Sequence, residues 1–255
     1  MARRERREKK PRPKNRKFRL FIAFLSLVFC LIVGAYILSL PIWQIKDIVV
    51  NGAKILSEKE IRAIAGIPLS ENLFYTSFSR AKANLRKITA IKAFHFYRIP
   101  PATVLISITE RRPVAAIIFP GKSVVIDEDG FIINRNTSLT LNIPNMADLP
   151  VISGIAEKEI LKAERIDPRV SRIVSDIIFK LTPYLEAKRL QLKLGGLRNI
   201  TLLLDDLLLV KIGGEEEIKR KMEVFMGLLP VVSGKWEKVD YIDVRFPDNP
   251  VIRYK

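Results

Sequence analysis

The sequence is poor in the side chains that most often carry chemistry. Its 255 residues include one cysteine, Cys30, and one histidine, His95. A single cysteine cannot form a disulfide within the chain, and zinc sites usually draw on several cysteine or histidine ligands. A disulfide framework is therefore excluded and a zinc hydrolase is disfavoured, so the folded part has to be held by its own hydrophobic core.

Catalytic motifs are missing as well. The sequence contains no G-x-S-x-G, no H-E-x-x-H and no glycine-rich phosphate loop. His95 alternates with two phenylalanines in a predicted strand, where a packing or surface role is favoured over catalysis. Asp205 and Asp206 suggest paired carboxylates, but adjacent strand residues point to opposite faces and the pair sits at a predicted turn. We predict no enzymatic activity, no cofactor and no metal site.

Charged residues are absent between Arg19 and Lys46. A helix of this length exceeds the about 20 residues that cross a hydrocarbon layer about 30 Å thick. Residues 1–19 carry 11 Lys and Arg residues against 2 acidic ones, which is the pattern of a cytoplasmic flank. We predict a cytoplasmic basic tail at 1–19, a transmembrane helix at 20–43 and everything after Trp43 outside the membrane.

Two other interpretations of this region are disfavoured. A cleaved signal peptide has an apolar region of only about 7–15 residues and ends at a small-x-small site, which Leu38-Ser39-Leu40-Pro41 does not provide. Nucleic-acid binding would require a basic stripe interleaved with aromatics on a folded element, and none follows the tail. Attraction to anionic lipid is the simpler account of the basic charge.

After the span, the patterns predict a small α+β unit. Ser57 and Glu60 form a capping-box pattern at a helix start. The predicted elements are the strand Ile45–Val50, a helix from Ser57, a second helix Ser79–Ile88, and the strands Ile91–Arg98 and Thr103–Glu110. The order β-α-α-β-β within about 70 residues fits one small domain.

The remainder of the chain is richer in strands. A hairpin is predicted at Val124–Ile133, where Asp127, Glu128 and Asp129 suggest a calcium loop, but the other ligands of such a loop are missing and a turn is favoured. Further predictions are a helix over Val170–Leu181, an antiparallel meander over Leu190–Ile212, a helix from Ile218 and final strands at Val239–Phe246 and Val251–Tyr254.

Several of these runs resemble the bacterial division family FtsQ/DivIB. The most specific is Ile106–Ala115, I-S-I-T-E-R-R-P-V-A, where the family reads roughly I-x-V-x-E-R-x-P-V-A. Other similar runs are Val49–Gly52, Val124–Ile133, Leu149–Gly154 and Tyr241–Pro247. The resemblance implies an α+β chain with a single N-terminal transmembrane helix. A β-α-α-β-β POTRA module follows at 45–115, and then a mainly antiparallel β domain at 116–255 with helices on one face.

The resemblance also implies a function. Proteins of this family are divisome components in the bacterial inner membrane at the septum, and they link early cytoplasmic division proteins to late septal wall-synthesis proteins. The implied partners are FtsB and FtsL type proteins, with FtsW, FtsI and FtsK as further candidates. No nucleic acid and no small-molecule substrate is expected.

Two groups of site residues follow from this resemblance. The first lies in the last two strands, where an open edge would accept a strand of the partner FtsB. Its members are Arg245, Phe246, Asp248, Val251 and Tyr254. The second group is Glu110, Arg111 and Pro113 at the domain junction, where a structural role is favoured because proline cannot donate to a strand ladder.

Two alternatives from other classes stay open at this point. One is a membrane-anchored cell-wall hydrolase or protease that uses carboxylates, which requires an acid pair that the sequence does not reveal. The other is a POTRA-bearing translocation component, which would require eight or more alternating barrel strands after the module.

Overall fold

The computed structural model describes residues 16–135, 139–143, 145–181, 183 and 189–255. Residues 1–15, most of the predicted basic tail, lie outside this description. The chain divides into two compact units. One comprises the described residues up to Asp47 together with Pro68–Thr76 and Arg98–Val104, and the other comprises Ile48–Ile67, Ser77–Tyr97 and Leu105–Lys255.

The described residues form an α-helix at each predicted position and one that the sequence analysis does not predict, at Glu157–Lys162. The helices are α1 (Arg16–Ser39), α2 (Glu58–Ala65), α3 (Ser79–Leu85), α4 (Glu157–Lys162), α5 (Pro168–Leu181) and α6 (Ile218–Val232). The stretch Lys17–Ser39 of α1 is long and apolar enough to cross a membrane, and its side chains are exposed rather than packed into a core. No other helix of the described residues meets that description.

The strands form two sheets. They are β1 (Asp47–Asn51), β2 (Ile91–Ile99), β3 (Thr103–Glu110), β4 (Ala115–Phe119), β5 (Lys122–Ile126), β6 (Val151–Ser153), β7 (Leu190–Leu194), β8 (Ile200–Leu204), β9 (Leu208–Gly213), β10 (Val239–Asp243) and β11 (Val251–Tyr254). The smaller sheet has the order β1-β3-β2, and the larger one has the order β11-β10-β9-β8-β7-β6-β4-β5.

The larger sheet mixes the two pairing directions. Four of its seven neighbouring pairs are antiparallel, and three are parallel, namely β4 with β6, β6 with β7, and β9 with β10. Parallel neighbours need a long crossover, which α4 and α5 provide between β6 and β7 and α6 provides between β9 and β10. The predicted α+β class, with an apolar N-terminal helix followed by a strand-rich part with helices, is confirmed.

The main core lies between this sheet and helices α5 and α6. The predicted apolar face of α5 is buried at Ile173, Val174, Ile177, Ile178 and Leu181. Helix α6 contributes buried residues at the predicted helical spacing, and β7, β8 and β9 bury alternate residues. Every second residue of these strands and one face of α5 and of α6 are buried, and together they form one hydrophobic core on that face of the sheet.

Two local predictions are corrected, and one hairpin was not predicted. Ser57 is the residue before α2, but its side chain makes no capping bond, and the Glu60 carboxylate instead accepts the N–H of Thr140 at 3.3 Å. The predicted strand Val239–Phe246 ends at Asp243, because the Asp243 carboxylate accepts the backbone N–H of Arg245 and turns the chain. The sequence prediction also missed the hairpin of β4 and β5, which turns at Gly121 with φ of 78°.

Candidate partner-binding edge and domain junction

Strand β11 is an edge of the larger sheet, and β10 is its only neighbouring strand in the described part of the chain. The two strands pair antiparallel, with Tyr241 opposite Arg253 and Asp243 opposite Val251. An edge strand carries one row of backbone groups that point away from the sheet. Backbone hydrogen bonds of the residues around β11 show which of its N–H and C=O groups point away from the sheet.

Backbone hydrogen bonds fix which residues of β11 face outward. Lys255 donates its N–H to the carbonyl of Lys238 at 3.0 Å, so residues two and four positions earlier also face β10. Val244 donates to Lys211 of β9 at 3.0 Å, which turns the backbone groups of Asp243 toward β11 and agrees with that assignment. The N–H and C=O groups of Ile252 and Tyr254 therefore face away from the sheet, and no group in the described ranges bonds to them.

Three of the five predicted partner residues present apolar surface at this edge. Phe246 is 70% exposed in the connection between β10 and β11, Tyr254 is 53% exposed, and Val251 is exposed as well. Ile252, between the last two on β11, packs against the core and fixes the strand on the sheet. Exposed aromatics beside free backbone groups are the features that strand addition uses for selectivity and affinity.

Arg245 is held by Asp243 rather than left free. Its guanidinium donates to the Asp243 carboxylate at 2.6 and 3.0 Å, and its backbone N–H donates to the same group. Burial acts to raise the pKa of Asp243, but the hydrogen bonds from Arg245 and the charges of Arg245 and Lys211 outweigh it, so this pKa lies below its usual value. The same hydrogen bond raises the pKa of Arg245.

Asp248 is tied to helix α6. Its carboxylate accepts a hydrogen bond from Arg220, whose guanidinium also contacts Glu217. All three side chains are about half exposed or more, so the contribution of these pairs to the free energy of unfolding is small. The structure thus brings all five predicted partner residues to β11 and the connection before it, with three of them projecting and two engaged in ion pairs.

Glu110, the first of the three domain-junction residues, binds backbone groups ahead of helix α2. The Glu110 carboxylate accepts three backbone N–H groups, from Lys54, Ile55 and Leu56, at 2.7–2.8 Å. Hydrogen bonds to a charged acceptor are about twice as strong as neutral ones. Glu110 therefore fixes the loop that leads into α2.

Arg111 joins three elements. Its guanidinium donates to the carbonyl of Thr89 at 3.0 Å and to the Asp127 carboxylate at 2.6 Å, and it stacks 3.7 Å above the centre of the Phe131 ring. Both charged side chains are largely buried, with 13% of Arg111 and 2% of Asp127 exposed. Pro113 lies in the connection between β3 of the smaller sheet and β4 of the larger one.

The remaining polar candidates act in turns. The Asp127 carboxylate accepts the N–H groups of Asp129 and Phe131, and Asp205 and Asp206 occupy the turn between β8 and β9 with positive φ. His95 is exposed. No group of three or more potential metal ligands occurs in the described part of the chain. Sequence reasoning identified Asp127 only as a turn residue, because its ion pair with Arg111 depends on the folded path of the chain.

Comparisons with known proteins cover almost all of this structure. A family model described as "POTRA domain, FtsQ-type" matches residues 43–111, and one described as "Cell division protein FtsQ/DivIB, C-terminal" matches residues 116–245. The second match alone covers more than half of the chain. Both families refer to FtsQ, and the second is a family of cell division proteins.

Individual relatives agree with these matches. Cell division protein FtsQ of Mycobacteroides abscessus is 22% identical over 234 residues, covering 92% of this chain and 69% of that protein. Cell division protein DivIB of Clostridium acetobutylicum is 27% identical over 220 residues, covering 84% of each. DivIB of Clostridium tetani is 25% identical over 221 residues, covering 84% of this chain and 81% of that protein. Together with the two family models, these relatives confirm the resemblance, and the chain belongs to the FtsQ/DivIB family of cell division proteins.

Proposed function

We propose that this chain is a single-pass membrane scaffold of the bacterial divisome that acts by binding proteins and not by catalysis. It links early cytoplasmic division proteins to late septal wall-synthesis proteins through contacts outside the membrane. The family membership and the long apolar helix α1 support this proposal. The proposed division of the chain is a cytoplasmic tail at 1–19, a transmembrane helix at 20–43, a POTRA domain at 45–115 and a β domain at 116–255.

The observation that carries the binding proposal is the free edge of β11. Outward N–H and C=O groups at Ile252 and Tyr254 provide a row to which another strand can bond. Partners of the FtsB and FtsL type are proposed to bind here, with FtsW, FtsI and FtsK as further candidates. Phe246, Val251 and Tyr254 supply the apolar contacts, while Arg245 and Asp248 shape the connection through their ion pairs.

The experiment compares partner recovery with variants of the full-length chain in dividing cells. The double variant Phe246→Ala and Tyr254→Ala should lose recovery of an FtsB type partner and still be inserted in the membrane, because both side chains project from a folded edge. Phe179→Ala is the matched control, since Phe179 is 57% exposed on α5 and distant in sequence from the edge strand. Equal recovery with the double variant and with the wild type would place the partner elsewhere.

The proposed orientation has its own test. A reporter that works only outside the cytoplasm, fused after Lys255, should be active because the basic tail retains residues 1–19 in the cytoplasm. A reporter that works only in the cytoplasm should be inactive at the same position. The reverse result would invert the topology.

A further inference from the structure

The loop Pro68–Thr76 is tied to the C-terminal end of helix α1. Ile45 donates its N–H to the carbonyl of Glu71 at 2.8 Å, and Leu73 donates to the carbonyl of Trp43 at 2.7 Å. The indole ring of Trp43 also packs edge-on against the ring of Phe74, with centroids 5.2 Å apart. These contacts lie within one compact unit, so the loop and the end of the helix form one body.

The last carbonyls of α1 are capped by side chains. Ser39 donates its hydroxyl to Tyr36 at 2.8 Å, Trp43 donates its indole N–H to Ile37 at 2.6 Å, and Asn72 donates its amide to Leu38 at 2.7 Å. A helix end leaves its last carbonyls without intrahelical partners, and near hydrocarbon each unsatisfied group costs several kcal/mol. Capping of this kind suits a helix end that lies close to lipid.

The amide of Asn72 fixes the depth of the loop. The apolar stretch Lys17–Ser39 has 23 residues and spans about 35 Å at helical rise, against a hydrocarbon core of about 30 Å. With α1 across the membrane, as in the proposed function, Leu38 lies near the boundary between acyl chains and head groups. A loop that hydrogen-bonds the carbonyl of Leu38 has to reach the same level.

Large apolar side chains project from this loop and its neighbours. Leu69 is 57% exposed and Tyr75 is 64% exposed, and each is three residues from Asn72, within about 10 Å along the chain. Ile42 is exposed directly after α1, and Ile99 is exposed beside Arg98, whose guanidinium donates to the carbonyls of Leu73 and Thr76. Leucine, isoleucine and tyrosine are suited to the head-group layer.

We propose that Ile42, Leu69, Tyr75 and Ile99 form a lipid-binding rim that inserts into the head-group layer around the C-terminal end of α1. The occupant of this surface is the bilayer itself, because the residues of the rim lie in the same compact unit as α1, whose C-terminal end is hydrogen-bonded to the loop that carries Leu69 and Tyr75. The inference rests on the membrane anchor of the proposed function. The rim adds contacts that resist tilting of this unit about the end of the helix.

The experiment measures the depth of single labels on the full-length chain in vesicles of phosphatidylcholine and phosphatidylglycerol. In a Cys30→Ser background, the variants Tyr75→Cys and Leu69→Cys carry an environment-sensitive fluorophore, and lipids with a nitroxide either near the head group or along the acyl chain serve as quenchers. Phe179→Cys is the control for an exposed side chain elsewhere, and Leu31→Cys reports on the helix itself. The head-group nitroxide should quench positions 75 and 69 strongly, the acyl-chain nitroxide should quench position 31 strongly, and both should quench position 179 weakly.

The outcomes separate the rim from the anchor. Quenching at position 31 together with no more quenching at 75 and 69 than at 179 would overturn the rim and leave the anchor standing. Absence of quenching at position 31 would contradict the anchor and, with it, the rim. Labels at 75 and 69 that are shielded from a water-soluble quencher and not reached by the lipid quencher would indicate a second copy of the chain on this surface, which also overturns the proposal.

A second variant tests whether the hydrogen bond from Asn72 to Leu38 holds the loop at the membrane surface. Asn72→Asp keeps the oxygen that accepts the N–H of Phe74 but removes the amide that donates to Leu38. Quenching at position 75 should fall toward the level of position 179, while quenching at position 31 stays unchanged. Undiminished quenching at position 75 would show that the amide of Asn72 does not hold the loop at the membrane.

Discussion

The two edges of the larger sheet are finished in different ways. At β5, the outward groups are bonded by the chain itself, since Val125 donates its N–H to the Asn134 side chain and accepts the N–H of Ile133, both at 2.8 Å. The Asn134 amide also donates to the carbonyl of Ser123 at 2.9 Å. At β11, the outward groups of Ile252 and Tyr254 bond to nothing within the described residues. One edge is closed by local structure and the other is available, as expected for a sheet that recruits a strand at one side.

The covered edge depends on the junction. The residues that close β5, Ile133 and Asn134, come shortly after the turn that the Asp127 carboxylate organises, and this carboxylate is paired with Arg111. The ion pairs beside the open edge are more exposed, since the side chains of Arg220 and Arg245 are each 52% exposed, and they therefore stabilise the fold less. Substitutions at the two edges should therefore change different properties of the protein. Changes near β5 should lower the free energy of unfolding, and changes near β11 should lower partner affinity.

The largest effect is expected at the junction. Asp127→Ala leaves the Arg111 guanidinium buried without its partner, and breaking a buried ion pair costs about 3–5 kcal/mol. Denaturant unfolding of the full chain in detergent measures the loss. The control Asp129→Ala removes an exposed carboxylate of the same turn and should change the free energy of unfolding by less than about 0.5 kcal/mol. Equal effects of the two variants would contradict the role of the pair.

A smaller effect is expected from opening the covered edge. Asn134→Ala removes two hydrogen bonds, each worth about 1 kcal/mol, and so should destabilise the fold by about 2 kcal/mol. It also frees the N–H of Val125, so the variant should self-associate at high concentration. Light scattering across a concentration series measures this against Lys122→Ala, an exposed change on the same strand. A monodisperse Asn134→Ala chain would show that the edge is protected by other means.

At the open edge, stability and affinity should separate. Tyr254→Ala and Phe246→Ala should each weaken binding of an FtsB type fragment by about 1–2 kcal/mol, as interface anchors do. Their free energies of unfolding should change by less than about 0.5 kcal/mol, because both side chains are more exposed than buried. Titration and denaturant unfolding of the same samples measure the two quantities. Equal losses of binding affinity and of the free energy of unfolding would show that these aromatic side chains stabilise the core.

The smallest effect concerns pH. The pKa of Asp243 in the folded chain lies below its usual value of 3.8, so its stabilising contribution is present above that pH and is lost as pH falls through the lowered value. Because Arg245 is half exposed, solvent screening limits the contribution to less than about 1 kcal/mol. Denaturant unfolding between pH 2 and 7 should show this component in the wild type and not in Asp243→Asn. The same pH profile for both chains would remove Asp243 as its source.

Local patterns predicted much of the fold but little of the junction. The apolar face of α5 and the alternation in β7 to β9 depend on periodicity within one element, which the sequence displays. The pairing of β9 with β10 was beyond such reasoning, because α6 separates the two strands and no local pattern specifies a parallel neighbour. Glu110 accepts hydrogen bonds from residues that precede it by 54 to 56 positions in the sequence. Arg111 contacts Asp127 only because the hairpin of β4 and β5 returns the chain to the junction.

The open edge was only partly predictable, because a local pattern predicts the strand but not how it pairs. The β-run Val251–Tyr254 predicted a strand with an open edge, and the structure places this strand at an edge of the larger sheet. Which backbone groups face outward was not predictable, because this depends on the register with β10 and on the irregularity between Val239 and Tyr241. The cover of β5 by Asn134 was missed because an isolated asparagine carries no sequence signal for the strand it will bond.

Amide hydrogen exchange at β11 is the most direct test of the central claim that a partner strand adds to this edge. In the free chain, the outward N–H groups of Ile252 and Tyr254 should exchange rapidly, while those of Val251 and Arg253, which face β10, should be protected. Saturation with an FtsB type fragment should slow exchange at Ile252 and Tyr254 and leave Val251 and Arg253 nearly unchanged. Unaltered exchange at Ile252 and Tyr254 in the saturated complex would contradict strand addition at this edge.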